Sequence, residues 1–249
     1  MKTKLISLVL ALALLASLFT GCSPKAKPVT DTVKWFNTTY ALLTTANQAD
    51  VNLIGGYEKN AINQKLVQEL LDEWWDVTDR ATADETLEWI LSEGHRKDFA
   101  DEMVELKDSG ILDLTREDLE AALADYDEND RAYILDMVDA YNANPEHPID
   151  AWDYSRAMQL LGYYYIADYY TEQEALDKSL EVAKTLQGLY PSWDDMVQSY
   201  LDGYQYWNGD NPDDEESGSA QRRKIYEDLK ASENNPYTLD WNLELTKTW

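Results

Sequence analysis

The stretch from Ala151 to Tyr169 constrains the fold most, because it carries apolar or aromatic residues on every side of a helix. Between Asp153 and Asp168 its only charged residue is Arg156. A helix that is apolar all round is buried, so we predict a central helix with the other helices packed around it. Asp153 and Arg156 lie three residues apart and share a helix face, where they can pair. A buried pair also needs further partners, because a lone buried charge is costly.

The other segments show helical periodicity rather than strand alternation. Thr82–Glu85 and Thr171–Glu174 have the spacing of capping boxes, and Thr115 and Ser192 also precede helical stripes. One predicted core stripe comprises Leu66, Val67, Leu70, Leu71 and Trp74. We find no alternating strand and no hairpin signal. The sequence therefore predicts an all-α fold: a single multi-helix domain with a buried central helix, after a leader.

The leader has the three parts of a secretory signal peptide. Lys2 and Lys4 precede an apolar run over residues 5–19, and the small residue Gly21 precedes Cys22, the only cysteine. A transmembrane anchor is the alternative, but a span needs about 20 apolar residues. A cysteine at this place resembles the lipobox of bacterial lipoproteins, in which it becomes the acylated N-terminus. We predict a lipoprotein signal peptide over 1–21, acylated Cys22 with a flexible spacer over 22–30, and an all-α domain over 31–249.

The chain is strongly acidic, and this excludes several classes of function. Cleavage before Cys22 removes Lys2 and Lys4 and no acid, so the formal net charge goes from -27 to -29. Such a surface repels nucleic acid and anionic headgroups, so the membrane is reached through lipid at Cys22. With Cys22 acylated, no disulfide can form within the mature chain. His95 and His147 are the only histidines, which leaves no His/Cys zinc site.

A polar constellation is the candidate functional site. It comprises His95, Arg96, Asp150, Asp153 and Arg156. An Asp-oriented histidine can act as a general base and an arginine can hold an anion. Alternatively, the same groups cross-link the central helix to its neighbours, and we favour this reading because ion-pair networks also gather charges in cores. Neither a nucleophile motif nor a phosphate-binding loop supports an enzyme.

Two further patterns point to ligands less directly. Asp125–Asp130 spaces oxygens like a calcium-binding loop, but Asp130 replaces the expected glycine and Asp136 the expected glutamate. We interpret it as an acidic turn between helices and assign no metal and no cofactor. A tyrosine set could stack on sugars or fill the core, and we favour the core. It comprises Tyr163, Tyr164, Tyr165, Tyr169 and Tyr170.

A set of short motifs occurs in a fixed order. These are Glu93-Gly94-His95-Arg96, Ala151-Trp152-Asp153 with Arg156-Ala157, Ser192-Trp193, Tyr200-Leu201 with Gly203 and Trp207, and Pro236 with Trp241. The set resembles the DUF1266 family of bacterial proteins, from about residue 35 to the C-terminus. Tyr154-Ser155 departs from it, standing where the family often has an aliphatic residue and a glycine. The resemblance implies an all-α domain and names no reaction.

Two hypotheses of function follow. The first is a lipid-anchored binding or interaction module on the extracytoplasmic face of the cell membrane, with an envelope protein or a glycan as partner and no nucleic acid. Its candidate ligand-binding residues are Arg96, Trp152 and Tyr164. The second is a glycan-directed envelope hydrolase that uses Glu93, His95 and Asp153, with Arg156 as a further catalytic candidate, since glycosidases need two carboxylates in a cleft. An enzyme should gather these groups on a solvent-reachable pocket.

Overall fold

The computed structural model describes residues 29–249. The predicted signal peptide, Cys22 and the spacer before Val29 lie outside the described residues. Within residues 29–249 the chain forms helices and turns with no strand, so the predicted all-α fold is confirmed. The helices are α1 (Asp31–Thr39), α2 (Ala41–Ala46), α3 (Ala61–Trp75), α4 (Arg80–Ser92), α5 (Gly94–Asp108), α6 (Arg116–Ala122), α7 (Glu128–Ala143), α8 (Asp150–Ile166), α9 (Glu172–Leu189), α10 (Trp193–Asn208) and α11 (Gly218–Ala231).

Helix α8 is the centre of the domain. All but three of its 17 residues are buried, and it packs against α1, α3, α4, α5, α9 and α10. The predicted central helix is confirmed, although it ends at Ile166 rather than Tyr169, because Asp168 takes a left-handed φ of 68°. Side chains such as Met158, Leu160 and Leu161 are almost fully buried, and each contributes about 1.5–3 kcal/mol by leaving water.

The two ends of the described chain meet in a cluster of tryptophans. Trp35 of α1 packs against Trp193 of α10 and Trp241 of the C-terminal segment, with ring centroids 4.9 and 5.2 Å away. Trp193 and Trp241 lie 4.7 Å apart and edge-on, an arrangement that aromatic quadrupoles favour. The indole of Trp35 donates to the carbonyl of Trp241 at 3.2 Å. The first helix is therefore part of the core.

Three of the four helix starts that the capping residues predict are confirmed. Thr171 and Glu174 form the predicted capping box of α9, and Thr115 and Ser192 cap α6 and α10 as expected. The predicted start at Thr82 is wrong. Helix α4 begins earlier, at Arg80, because the Asp79 carboxylate accepts the backbone N–H of Thr82 at 3.0 Å. Thr82 therefore lies inside the first turn.

The predicted core stripe of α3 is correct for only part of its residues. Val67 and Leu71 are fully buried, whereas Leu66 is 40% and Trp74 is 65% exposed. The reason is that α3 lies at the edge of the domain and packs on α8 with one side only.

Within residues 29–249, no helix combines the length and the apolar character that crossing a bilayer requires.

Candidate functional site

Asp153, in the first turn of α8, is the hub of the polar cluster. Its side chain is fully buried. Its carboxylate accepts the backbone N–H groups of His95 at 3.1 Å and Arg96 at 2.9 Å. It also accepts Nη1 of Arg96 at 3.2 Å and Nη2 of Arg156 at 2.5 Å. An ionised carboxylate offers about four lone-pair sites, so these four donors use its capacity.

Gly94 allows this carboxylate to reach the start of α5. Helix α4 ends at Ser92, and Gly94 opens α5 with a left-handed φ of +60°. A Cβ on Gly94 would lie 2.2 Å from Oδ2 of Asp153, closer than non-bonded atoms can approach. The local cap position, Glu93, gives no side-chain hydrogen bond. A carboxylate from another helix therefore caps α5, where it also meets the positive end of the helix dipole.

Arg156 lies between aromatic rings at the inner side of the cluster. Its Nε donates to the carbonyl of Trp152 at 3.2 Å, and its Nη2 contacts Nδ1 of His95 at 2.8 Å. A guanidinium can only donate, so Nδ1 of His95 accepts in this contact, and the same nitrogen lies 3.6 Å from Oδ1 of Asp153. The guanidinium carbon lies 4.1 Å from the ring centroid of Trp152 and 5.4 Å from that of Trp75, within cation–π distance.

Arg96 ties the end of α4 to the start of α5. Its Nη1 donates to the carbonyl of Ile90 at 2.7 Å, and its Nη2 donates to that of Leu91. These carbonyls belong to the last turn of α4, where helical partners are lacking. The guanidinium also lies 4.9 Å from the ring centroid of Tyr154. Arg96 thus satisfies backbone groups on one side and Asp153 on the other.

Burial and hydrogen bonding act in opposite directions on the pKa values of the acids. Burial would raise the pKa of Asp153, but contacts with His95, Arg156 and two backbone N–H groups outweigh it and lower that pKa. Burial lowers the pKa of the Arg156 guanidinium, against the opposing charge of Asp153. Burial raises the pKa of Asp150, although Nδ1 of His147 lies 2.8 Å from its carboxylate. The cluster therefore holds Asp153 in its charged form.

The structure brings together some of the sequence candidates and separates others. One contiguous group, the Asp153 cluster, consists of His95, Arg96, Asp153 and Arg156. Asp150 pairs with His147 instead. Glu93 is exposed, and its side chain makes no hydrogen bond or ion pair within the described residues.

The aromatic candidates lie in the core. Trp152 is 4% exposed and packs against Tyr200, Tyr204 and Trp207 with centroids 5.3, 5.6 and 5.7 Å away. Tyr164 is fully buried against Tyr170. Neither ring presents a face to solvent in this conformation.

Two tryptophans at the cluster were missed by the sequence analysis. Trp75, at the end of α3, lies over Arg156. Trp89 packs edge-on against His95, with centroids 5.5 Å apart. Trp89 lies four residues, about one helical turn, before Glu93. This spacing places it beside the Glu93-Gly94-His95-Arg96 motif and was a usable sequence signal. Trp75 had no such signal, because its contact is between distant segments.

Other surface features are separate from the cluster. One cleft of about 340 Å³ lies between α1, α9 and the C-terminal Trp249, and another of about 560 Å³ lies between α10 and α11. Neither is lined by a cluster residue.

In the acidic turn that was compared with a calcium loop, Asp127 caps α7 by accepting the N–H groups of Asn129 and Asp130 at 3.0 Å.

Comparison with known proteins gives a family but no relative of assigned activity. The sequence model of a family described as "Protein of unknown function (DUF1266)" matches residues 70–241, more than half of the chain. No curated protein and no solved structure matches. The matched segment contains α4, α5 and α8, and with them every residue of the Asp153 cluster.

Proposed function

This chain belongs to the DUF1266 family, and from that premise we propose that it is a lipid-anchored binding module of the cell envelope. Acylated Cys22 would hold it on the extracytoplasmic face of the cell membrane. The Asp153 cluster would serve as an internal brace that joins α4, α5 and α8. The surface of the domain, rather than the cluster, would then meet the partner.

The observation that most favours a structural role for the cluster is that protein donors fill the Asp153 carboxylate. A general base or a nucleophile needs a lone pair within reach of the substrate. All four lone-pair sites of Asp153 receive donors from the protein, and its side chain has no exposed area. Arg96 and Arg156 also donate hydrogen bonds to backbone carbonyl oxygens. This pattern is typical of a structural ion-pair network.

The hydrolase alternative receives less support. It pairs Glu93 with Asp153, yet Glu93 lies on the surface and Asp153 lies beneath the α4–α5 junction. Glycosidases place both carboxyl groups on one cleft. If the purified domain cleaved an envelope glycan and Glu93→Gln abolished that cleavage while its melting temperature was unchanged, the alternative would replace the proposal.

The anchor is tested by fractionation of cells that express the full chain. The acidic domain has little affinity of its own for anionic membranes, so lipid at Cys22 should account for retention. We expect the unaltered chain and the Ser23→Ala control in the membrane pellet, released only by detergent. Cys22→Ala should leave the pellet. Retention of Cys22→Ala in the pellet after removal of the signal peptide would refute the lipid anchor.

A further inference from the structure

Helix α3 carries an apolar row on its solvent side. The α3 row consists of Ile62, Leu66, Leu70 and Trp74, spaced four residues apart. Ile62 is 81%, Leu66 is 40% and Trp74 is 65% exposed, and Leu70 is half-buried. At 1.5 Å per residue the row extends for about 18 Å. It is therefore a continuous strip along the helix and not a set of scattered residues.

The α3 row does not help to hold α3 in place. The helix packs on α8 through the adjoining face, where Val67 and Leu71 are fully buried. Single exposed apolar residues are common on protein surfaces, but contiguous apolar patches mark sites of interaction. An exposed tryptophan at the end of such a strip fits this reading, because tryptophan is frequent among the residues that dominate binding energy.

Acidic side chains border the α3 row. Glu69 and Glu73 follow Leu66 and Leu70 by three residues and are exposed beside the row, and Asp72 is exposed on the next face of the same helix. Glu69 lies 3.6 Å from Lys65, whereas Asp72 and Glu73 have no ion-pair partner within residues 29–249. The border is thus net negative and stands on a chain of formal net charge -27. Its complement is an apolar strip with basic flanks.

We infer that the α3 row docks an amphipathic helix with lysine or arginine flanks from another protein of the envelope. The inference rests on the proposed binding function and specifies its surface and its partner. An apolar helix face laid into such a strip, with anchors four residues apart, is a known mode of peptide recognition. A second copy of the chain would place like-charged borders against each other, and anionic headgroups would also be repelled.

Synthetic helices test this inference on the domain over residues 29–249. The cationic probe is a helix of about 18 residues, long enough to cover the row, with a leucine stripe flanked by lysines. The acidic probe has the same stripe flanked by glutamates. We expect saturable binding of the cationic probe that weakens as salt is raised, with the acidic probe bound at least about tenfold more weakly.

Matched variants locate the binding. Leu66→Glu breaks the α3 row, whereas Val104→Glu introduces the same negative charge at an apolar residue of α5 that is 57% exposed. Leu66→Glu should weaken binding of the cationic probe at least about tenfold, and Val104→Glu should leave it within about twofold. Far-UV circular dichroism and thermal melts verify that both variants fold. Equal binding to both variants, equal binding of both probes, or no binding of the cationic probe would overturn the inference.

Two further outcomes would assign the α3 row to another occupant and also overturn the inference. A dimer in sedimentation that Leu66→Glu dissociates would identify a second copy. Binding to zwitterionic vesicles that Leu66→Glu abolishes would identify the lipid surface. Failure in these assays leaves the membrane release of Cys22→Ala unaffected, so failure of the partner can be distinguished from failure of the proposed anchor.

Discussion

At the scale of single residues, the Asp153 cluster depends most directly on a residue without a side chain. Gly94→Ala would place a methyl group 2.2 Å from Oδ2 of Asp153 at a φ of +60°. The carboxylate must then move away from the N–H groups that it caps. We expect a loss of about 3 kcal/mol or more in the free energy of unfolding, from backbone strain and a displaced buried ion pair. Urea unfolding monitored by circular dichroism measures it.

Gly110 provides the control for that substitution. It also has a left-handed φ, +79°, but a Cβ there would meet nothing within 4 Å. Gly110→Ala should therefore cost only the strain of the left-handed backbone, about 1 kcal/mol. Equal losses for the two variants would mean that the approach of Asp153 to Gly94 contributes nothing measurable.

Replacing Asp153 should cost more folding stability than replacing Arg156. Asp153→Ala leaves the buried guanidinium of Arg156, the partly buried guanidinium of Arg96 and two N–H groups without their acceptor, at a cost of about 3–5 kcal/mol. Arg156→Met keeps apolar contact with Trp152, and Arg96 with two backbone N–H groups still holds Asp153. We expect the methionine variant to be the milder of the two in thermal melts. The opposite order would show that Arg156, not Asp153, is the hub.

Asp202 should make stability depend on pH. Burial raises its pKa from 3.8 to about 7, while Nε2 of Gln198 donates to its carboxylate at 2.8 Å. The folded state therefore binds an extra proton between about pH 4 and pH 7, and its advantage is lost as pH rises through that window. Relative to Asp202→Asn, we expect the parent to lose about 1–4 kcal/mol from pH 4 to pH 8. Parallel pH curves for the two proteins would refute this shift.

At the scale of elements, α8 reaches its neighbours through a glycine contact. A Cβ on Gly162 would lie 2.6 Å from the backbone nitrogen of Gly55, in the turn before α3. Alanine is favoured over glycine in helices by about 1 kcal/mol, yet here Gly162→Ala must separate two backbones and should destabilise. Gly188, in α9, has nothing within 4 Å of its Cβ position, so Gly188→Ala should stabilise by up to about 1 kcal/mol. Denaturant midpoints of opposite shift are expected, and shifts of the same sign would contradict the close contact.

Much of this arrangement could be predicted from local sequence. Arg156 is the only charged residue between Asp153 and Asp168, and this indicated a buried helix. The three-residue spacing of Asp153 and Arg156 indicated that they form an ion pair. The cap that Asp153 provides for α5 could not be predicted, because it joins residues 57 and 58 positions apart. The exposed α3 row was also missed, since periodicity defines a stripe but not whether a neighbour covers it.

At the scale of the whole molecule, the domain is larger than the segment that matches the family. The match begins at residue 70, whereas Trp35, Phe36 and Leu42 lie before it and are buried in the main core. Trp35 joins Trp193 and Trp241, which the match includes. Each large apolar side chain contributes about 1.5–3 kcal/mol when buried. Loss of α1 and α2 would therefore remove an amount comparable to the whole stability of a domain, about 5–15 kcal/mol.

The minimal folding unit should accordingly be residues 29–249. We expect this polypeptide, made without residues 1–28, to be soluble and predominantly helical and to unfold cooperatively. Residues 70–241 alone should lack cooperative melting and bind hydrophobic dyes, because the faces of Trp193 and Trp241 that meet Trp35 would be exposed. Far-UV and near-UV circular dichroism with thermal melts compare the two. Cooperative unfolding of residues 70–241 would show that α1 and α2 are an accessory layer, and that the core closes around α8 without them.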